Sequence, residues 1–508
     1  MPTSTYVVSI DWNANDVFTD SGEDITADVI EMSWRCGGRD YASQLVGRST
    51  SGFCSLTVTN ETGKYNSFNS ASALYGNLLP GRKIKITMDG VAMFRGFLDT
   101  IEPLPHISGI HRAIIRGIGP FAYIAQRKVS IALQQNKTTD QLIGTVLTEA
   151  GWPAGDTVND AGLTTLKWFQ TGGKVDVLSA LREIEAAEFG FINENKSGQI
   201  VFHNRHHRMN TSVSTTSQAT LTDAPAGALR YNAIKQMDPL KEVFNIIEAT
   251  VRGFTVQASA VLWTLPEAAA TNDSPPIDVG ETKVFWAQYP NPQSPAQASF
   301  VSAWTTLVAT TDYLAFDAAD GTGENLTANC TVVLTKFDNA MKISISHNAV
   351  RKAYVTFLQA RGTPVYENDP TVIKAEDSTS KTKYGERTFP IGSRWIPTTD
   401  EATDYTNFIL GIYKDPRPIL RLTINAEMSA AALSFAANRE VADRVTVVAS
   451  GAADLGISAD FFIEAQTHRV TNGGKSHKLE LDVSPTDGFG GFWSLGNSLL
   501  GVDTKLAY

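Results

Sequence analysis

"LYGNLLPGRKIKITMDGVAMFRGFLDTIE" (Leu74–Glu102) decides how this chain reads. Ile84, Ile86 and Met88 fall on one side of an alternating run, and Lys83, Lys85 and Thr87 on the other. Period 2 marks a strand with one buried face. Asp89-Gly90 then supplies the positive φ of a tight hairpin turn, and "FRGFLD" begins the returning strand. An enzyme site has no need of this arrangement, whereas a barrel wall that closes and meets other copies of itself does.

The same signature extends to both sides. "YVVSIDW" (Tyr6–Trp12) reads as a first strand, and "FCSLTVTN" (Phe53–Asn60) alternates, with Cys54, Leu56 and Val58 on one face. "HRAIIRGIG" (His111–Gly119) is a further strand ended by glycines. Short strands at this spacing predict a small barrel or sandwich over residues 1–125.

Residues 126–208 change period. "TTDQLIGTVLTEAGWP" (Thr138–Pro153) pairs Thr138 with Gln141 in the capping-box relation and carries an apolar stripe of Leu142, Ile143, Val146, Leu147 and Ala150. Gly151 suits a left-handed helix end, and Pro153 blocks continuation. A second helix over Asp176–Phe189 puts Val177, Leu181 and Ile184 on one face, and a hairpin turns at Lys196-Ser197-Gly198. Two helices and a hairpin make a small α/β domain.

Beyond a polar loop or edge (Met209–Asp223), β patterns resume with a long strand or strand pair over Val243–Ala258. Residues 267–283 and 289–297 read as loops, and the strands Cys330–Phe337 and Ala340–Asn348 belong to a β-sandwich inserted over 255–345. Residues 209–254 and 346–500 form a second barrel-like region, followed by a tail over 501–508. "GRKIKI", "FLDTI" and "HRAIIRG" (from Gly81, Phe97 and His111) are echoed by "ADRVTV", "FIEAQTH" and "SHKLELD" (from Ala442, Phe462 and Ser476). The fold class is therefore mainly β within an α+β multidomain chain: two related small barrels, one α/β domain and the inserted sandwich.

Composition narrows function. At 508 residues the chain exceeds one hydrophobic core. Its charged fraction of 19% lies below the roughly 25% usual for soluble proteins, which suits a surface covered by partners. A net charge of -10 argues against a grip on phosphates while letting DNA slide past. Cys36, Cys54 and Cys330 are too scattered for a zinc site or a disulfide framework. No apolar run nears the roughly 18 residues of a membrane span, so the chain is not expected to be an integral membrane protein.

No catalytic, cofactor or metal site emerges. "HNRHHR" (His203–Arg208) is the densest histidine run, but strand neighbours point to opposite faces, so it reads as an exposed basic strand end. Glu183, Glu185 and Glu188 fit the solvated face of the second helix. "GIGPFA" (Gly117–Ala122) and "GFGGFW" (Gly488–Trp493) lack the phosphate-binding fingerprint. Trp263, Phe285, Trp286, Tyr289, Trp304 and Tyr313 read as sandwich core, with sugar stacking as the alternative.

Taken together, Ser51–Pro103, Thr138–Pro153, Asp176–Arg205, Gln359–Ile391 and Ala442–Gly496 resemble, in order, the baseplate hub (tail hub, minor tail) proteins of tailed bacteriophages. The resemblance implies a homotrimer in which two barrels per chain imitate sixfold symmetry beneath a tail tube. It implies that Tyr75, Gly76, Pro80, Gly81, Arg95 and Gly96 close the barrel, the glycines allowing turns and close backbone approach. It further implies tail-tube, fibre or tip and tape-measure proteins as partners, a channel that passes DNA without specific binding, and a place at the virion tail tip after assembly in the host cytoplasm. Some relatives carry a C-terminal hydrolase, and the end at Tyr508 leaves no room for one. Host-surface glycan contact is the alternative role.

Overall fold

The structure, a computed structural model, describes residues 4–38, 48–107, 109–238, 240–265, 274–289 and 300–489. Parts of the expected loops (267–273 and 290–297), the end of the Ala442–Gly496 stretch from residue 490 and the tail over 501–508 lie outside them.

Among the described residues, the alternating runs become one twelve-stranded sheet. Its first half contains β1 (Tyr6–Ile10), β2 (Val29–Arg35), β3 (Phe53–Thr59), β4 (Lys83–Met88), β5 (Val91–Leu104) and β6 (Arg112–Ile118). Its second half contains β7 (Thr220–Thr222), β8 (Ala233–Met237), β9 (Ile419–Asn425), β10 (Arg444–Ala449), β11 (Ile457–Thr471) and β12 (Ser476–Pro485). The first half runs in the spatial order β1-β4-β5-β6-β3-β2, and the second repeats it as β7-β10-β11-β12-β9-β8. Each half curls shut through the chain just ahead of its second strand. Ile10 N donates to Glu23 O and Ile25 N to Val8 O, both at 2.9 Å. In the second half, Thr222 N donates to Leu229 O at 3.1 Å and Tyr231 N to Thr222 O at 3.4 Å. The closures differ in one respect: β1 runs antiparallel to β4, while β7 runs parallel to β10.

The duplication reaches single backbone bonds. Gly81 N donates to Leu98 O and Leu98 N to Arg82 O, just as Ala442 N donates to Ile463 O and Ile463 N to Asp443 O. Gly81 and Ala442 share a left-handed backbone, at φ +80° and +76°. Against β6, β5 carries one extra residue, Asp99, between Leu98 and Thr100; against β12, β11 carries Glu464 between Ile463 and Ala465. A bulge of this kind bends the strand and sharpens its twist, which a small barrel needs in order to close. Ile84, Ile86, Met88, Leu98, Val445, Val447, Ile463 and Leu481 fill a core continuous through both barrels.

The α/β region packs α1 (Thr139–Glu149) and α2 (Val177–Glu188) on a sheet of Thr157–Asn159, Phe191–Glu194 and Ile200–His203. Leu142, Ile143, Val146 and Leu147 are buried as their spacing requires, and Gly151 takes φ +69° past the helix end. The capping box does not form: the Thr138 hydroxyl turns to the Asp140 carboxylate. The run over 243–258 breaks at Arg252-Gly253 into Ile246–Val251 and Phe254–Val256. The stretch over 209–223 carries the short helices His207–Asn210 and Ser212–Thr215 as well as β7.

The inserted β region uses the long strand Ala353–Glu367 as its spine, paired in turn with Phe254–Val256, Ala260–Thr264, Pro276–Ile277, Phe300–Trp304 and Tyr313–Phe316. A second sheet of Thr282–Gln288, Ala340–His347 and Cys330–Lys336 faces it across a shared core. A separate small sheet (Ile246–Val251, Thr371–Glu376, Thr388–Ile391) is covered by α3 (Thr399–Tyr413). No helix among the described residues is long and apolar enough to cross a membrane.

Candidate functional site

The two barrels meet along one antiparallel seam. β2 pairs with β11 through Met32–Val470, Ser33–Arg469, Trp34–His468 and Arg35–Thr467. Trp34 lies flat on the His468 ring at 4.9 Å. His468 Nδ1 is 3.0 Å from His477 Nε2, and His477 Nδ1 is 2.8 Å from the Tyr6 hydroxyl. With Tyr6 donating to His477 and His477 donating onward, both rings are neutral, as burial demands. Burial pushes His477 down to about 4, with the Lys196 ammonium acting in the same direction. His468 falls further, through burial and then through its neighbour His477. Gly38 crosses the seam so closely that a Cβ there would stand 2.3 Å from Glu464 O.

A hairpin of the α/β region clamps this seam from one side. Asn193 Oδ1 accepts from Gly38 N at 3.0 Å and from Ser49 Oγ at 2.8 Å. Glu194 accepts from Gly52 N and from Phe121 N, the latter at the start of a short helix. Burial raises the Glu194 carboxyl to about 7 against the pull of those donors. Lys196, itself buried, donates to Ala436 O and Ala437 O in the last turn of α4 (Ala430–Asn438). One hairpin thus grips the first barrel with its carboxamide and carboxylate, and the second barrel's helix with its ammonium.

The "HNRHHR" run forms the other clamp, and it is not an exposed strand end. Arg208 makes a two-bond pair with Glu464 at 2.9 Å each, and both side chains are buried. The Arg208 guanidinium also lies 4.4 Å from the Phe462 ring centroid. His207 Nδ1 meets Asp160 at 2.8 Å and stacks on His203. The run leaves its strand at His203 and turns into a short helix, so strand alternation does not apply to it. Glu185 and Glu188 are not solvated either. Glu188 accepts from Thr139 Oγ1, Thr164 N and Leu163 N, and Glu185 holds Arg182 and Ile192 N. Glu183 accepts from the Trp395 indole. Among the described residues, no group of three His, Cys, Asp or Glu side chains is placed to hold a metal.

The residues singled out in Leu74–Glu102 spread over one wall of the first barrel. Tyr75 and Pro80 are exposed, and Gly76 and Gly81 take positive φ. A Cβ on Gly96 would meet Ile118 O at 2.3 Å. Arg95 reaches Asp16 at 3.2 Å and Asp156 at 3.5 Å, tying β5 to the α/β region beside Gly198. The seam histidines and the hairpin triad Asn193-Glu194-Lys196 were missed from sequence. The one signal was a polar run interrupting the apolar "GFINENKSGQIVF".

Two solved structures overlay nearly the whole chain. The 43 kDa tail protein of prophage MuSo2 from Shewanella oneidensis matches 96% of this chain and 99% of its own, at 10% identity and TM-score 0.50. The tail protein from Neisseria meningitidis MC58 matches 95% and 97%, again at 10% identity and TM-score 0.50. The chain has the fold of these tail proteins. No family model and no curated protein matches its sequence. The mainly β, multidomain fold is thus shared at low sequence identity.

Proposed function

We propose that the protein is a structural virion component: a homotrimeric hub at the distal end of a phage tail that joins tube to tip and forms or gates the channel for DNA ejection. The observation that carries this reading is the duplicated barrel within a tail-protein fold. Three copies of two like barrels offer six similar walls, which lets a threefold ring seat a sixfold tube. The tail tube, fibre or tip proteins and the tape-measure protein are the partners of such a hub. It acts at the virion tail tip after assembly in the host cytoplasm, and its acidic balance lets DNA pass. Its proposed working parts are the first barrel within 1–125, a second barrel drawn from 209–254 and 346–500, the α/β domain at 126–208 and the sandwich inserted at 255–345 together with its spine strand Ala353–Glu367, with Tyr75, Gly76, Pro80, Gly81, Arg95 and Gly96 shaping the first wall.

Light scattering after size exclusion tests the assembly, with a mass near three chains expected. A stable monomer at high concentration overturns it. The hub needs no catalysis of its own, so purified protein leaves host cell walls intact in a zymogram, and clearing overturns that part. A second reading, glycan adhesion, is favoured by Trp286 and Phe337, which stack 5.8 Å apart on the inserted region while 50% and 41% exposed. A glycan array with full-length protein and a Trp286→Ala control decides it. Loss of a specific signal in the variant supports adhesion, and equal or absent signals remove it.

A further inference from the structure

The duplicated barrels are joined by a seam that is used once within the chain, and among the described residues the matching strand edges at both ends of the repeat are open. β4 stops pairing with β5 at Lys83–Phe97, and β10 stops pairing with β11 at Arg444–Phe462. Past that point the edge of β11 is taken by β2 at residues 467–470. The edge of β5 past Phe97, at the corresponding positions, has no partner strand among the described residues. At the other end, β8 stands where β2 stands in the repeat, and among the described residues it pairs with β9 alone.

We propose that β8 of one copy pairs antiparallel with the open edge of β5 on the next copy, in the register of the β2–β11 seam. The register follows from the repeat. Trp34 faces Cys54, Cys54 faces Gly117, and Gly117 faces Leu98, five residues before Pro103. Gln236 faces Leu420, Leu420 faces Val483, and Val483 faces Ile463, five residues before His468. Gln236 thus holds the place of Trp34, and Pro103 holds the place of His468. Transferring the seam puts Ile234 opposite Pro105, Lys235 opposite Leu104, Gln236 opposite Pro103 and Met237 opposite Glu102 of the neighbouring copy. A head-to-tail contact of this kind uses different surfaces on its two sides, so it generates a closed ring when the rotation allows.

The sequence at this joint sets its strength. Pro103 and Pro105 have no N–H, and a proline in a paired strand turns its nitrogen to the open side. β5 therefore presents carbonyls at those positions, and β8 supplies the donors. The stack of Trp34 on His468 has no aromatic counterpart in Gln236 and Pro103. The joint between copies is weaker than the seam within one, and prolines on the edge also discourage pairing with unrelated strands. Assembly through it depends on concentration.

The inference rests on the ring proposed above, and cysteine trapping separates the two. Full-length chains carrying Gln236→Cys with Pro103→Cys are oxidised gently and run without reductant, with wild-type protein as the blank. Gln236→Cys with Asp99→Cys, four residues out of register, is the control. Expected are bands at two and three chain masses for the first pair and no more than the blank for the second. An oligomer by light scattering without those bands, or equal bands from both pairs, overturns the strand register and leaves the ring standing. A cross-linked ladder running well beyond three chains supports the joint and overturns the trimer. A monomer at every concentration overturns both.

Discussion

Ala442 occupies a left-handed backbone that its repeat partner meets with Gly81. A Cβ in that conformation costs about 1–2 kcal/mol, partly offset by the stiffer unfolded chain. Ala442 is also buried, so Ala442→Gly forfeits about 0.8 kcal/mol of methyl burial and is expected to leave the second barrel nearly unchanged, whereas Gly81→Ala is expected to destabilise the first by about 1 kcal/mol. Denaturant midpoints for the two variants check this, and a destabilised Ala442→Gly refutes it. Arg208 and Glu464 set a larger effect. Arg208→Met takes the counter-charge from the buried Glu464 carboxylate, which keeps the Ser484 hydroxyl as a donor, and is expected to cost about 3–5 kcal/mol. Adding Glu464→Gln to that variant restores much of the loss, since the uncompensated charge is then gone. If the double variant is as unstable as the single, shape rather than charge holds this contact.

At the scale of elements, the Phe191–Glu194/Ile200–His203 hairpin is the part that couples three regions. Lys196→Met keeps the buried methylene stem and removes the ammonium, with its bonds to Ala436 O and Ala437 O and its charge beside Glu440 and Asp443. It is expected to cost about 1–3 kcal/mol and to raise amide exchange at the end of α4 before it does so in β1–β6. Uniform exchange throughout the chain would show that the hairpin does not anchor that helix. The local code for this hairpin was readable: the turn residues at Lys196-Ser197-Gly198 and the apolar flanks place it correctly. What its polar tip grips was not readable, because α4 lies some 240 residues further along.

For the molecule as a whole, the groups at the barrel junction give opposing responses to pH. Glu194 is raised from 4.5 to about 7, so it stabilises the fold fully below 4.5, and that contribution is lost as pH rises through 7. His477 is lowered from 6.5 to about 4, so its contribution is present above 6.5 and is lost as pH falls towards 4. Each effect is on the order of 3 kcal/mol. Thermal unfolding followed from pH 4 to 8 should show Glu194→Gln losing less stability than wild type as pH rises from 4.5 to 7. His477→Gln should lose less than wild type as pH falls from 6.5 to 4. Parallel curves for a variant and wild type would exclude its group as a determinant.

The sequence by itself determined β1, β3–β6, β10–β12, α1, α2 and the repeat, because side-chain alternation, turn glycines and helical stripes act over a few neighbouring residues. Ile84, Ile86 and Met88 face inward, as their spacing alone requires. Only the tertiary structure decided which polar residues are buried. Glu188, Glu464, His468 and Arg208 look solvated in any local window, yet each is buried against a partner from another segment. Their place in the core follows from where distant strands meet, since a polar group enters an apolar interior only if a remote donor or acceptor arrives with it.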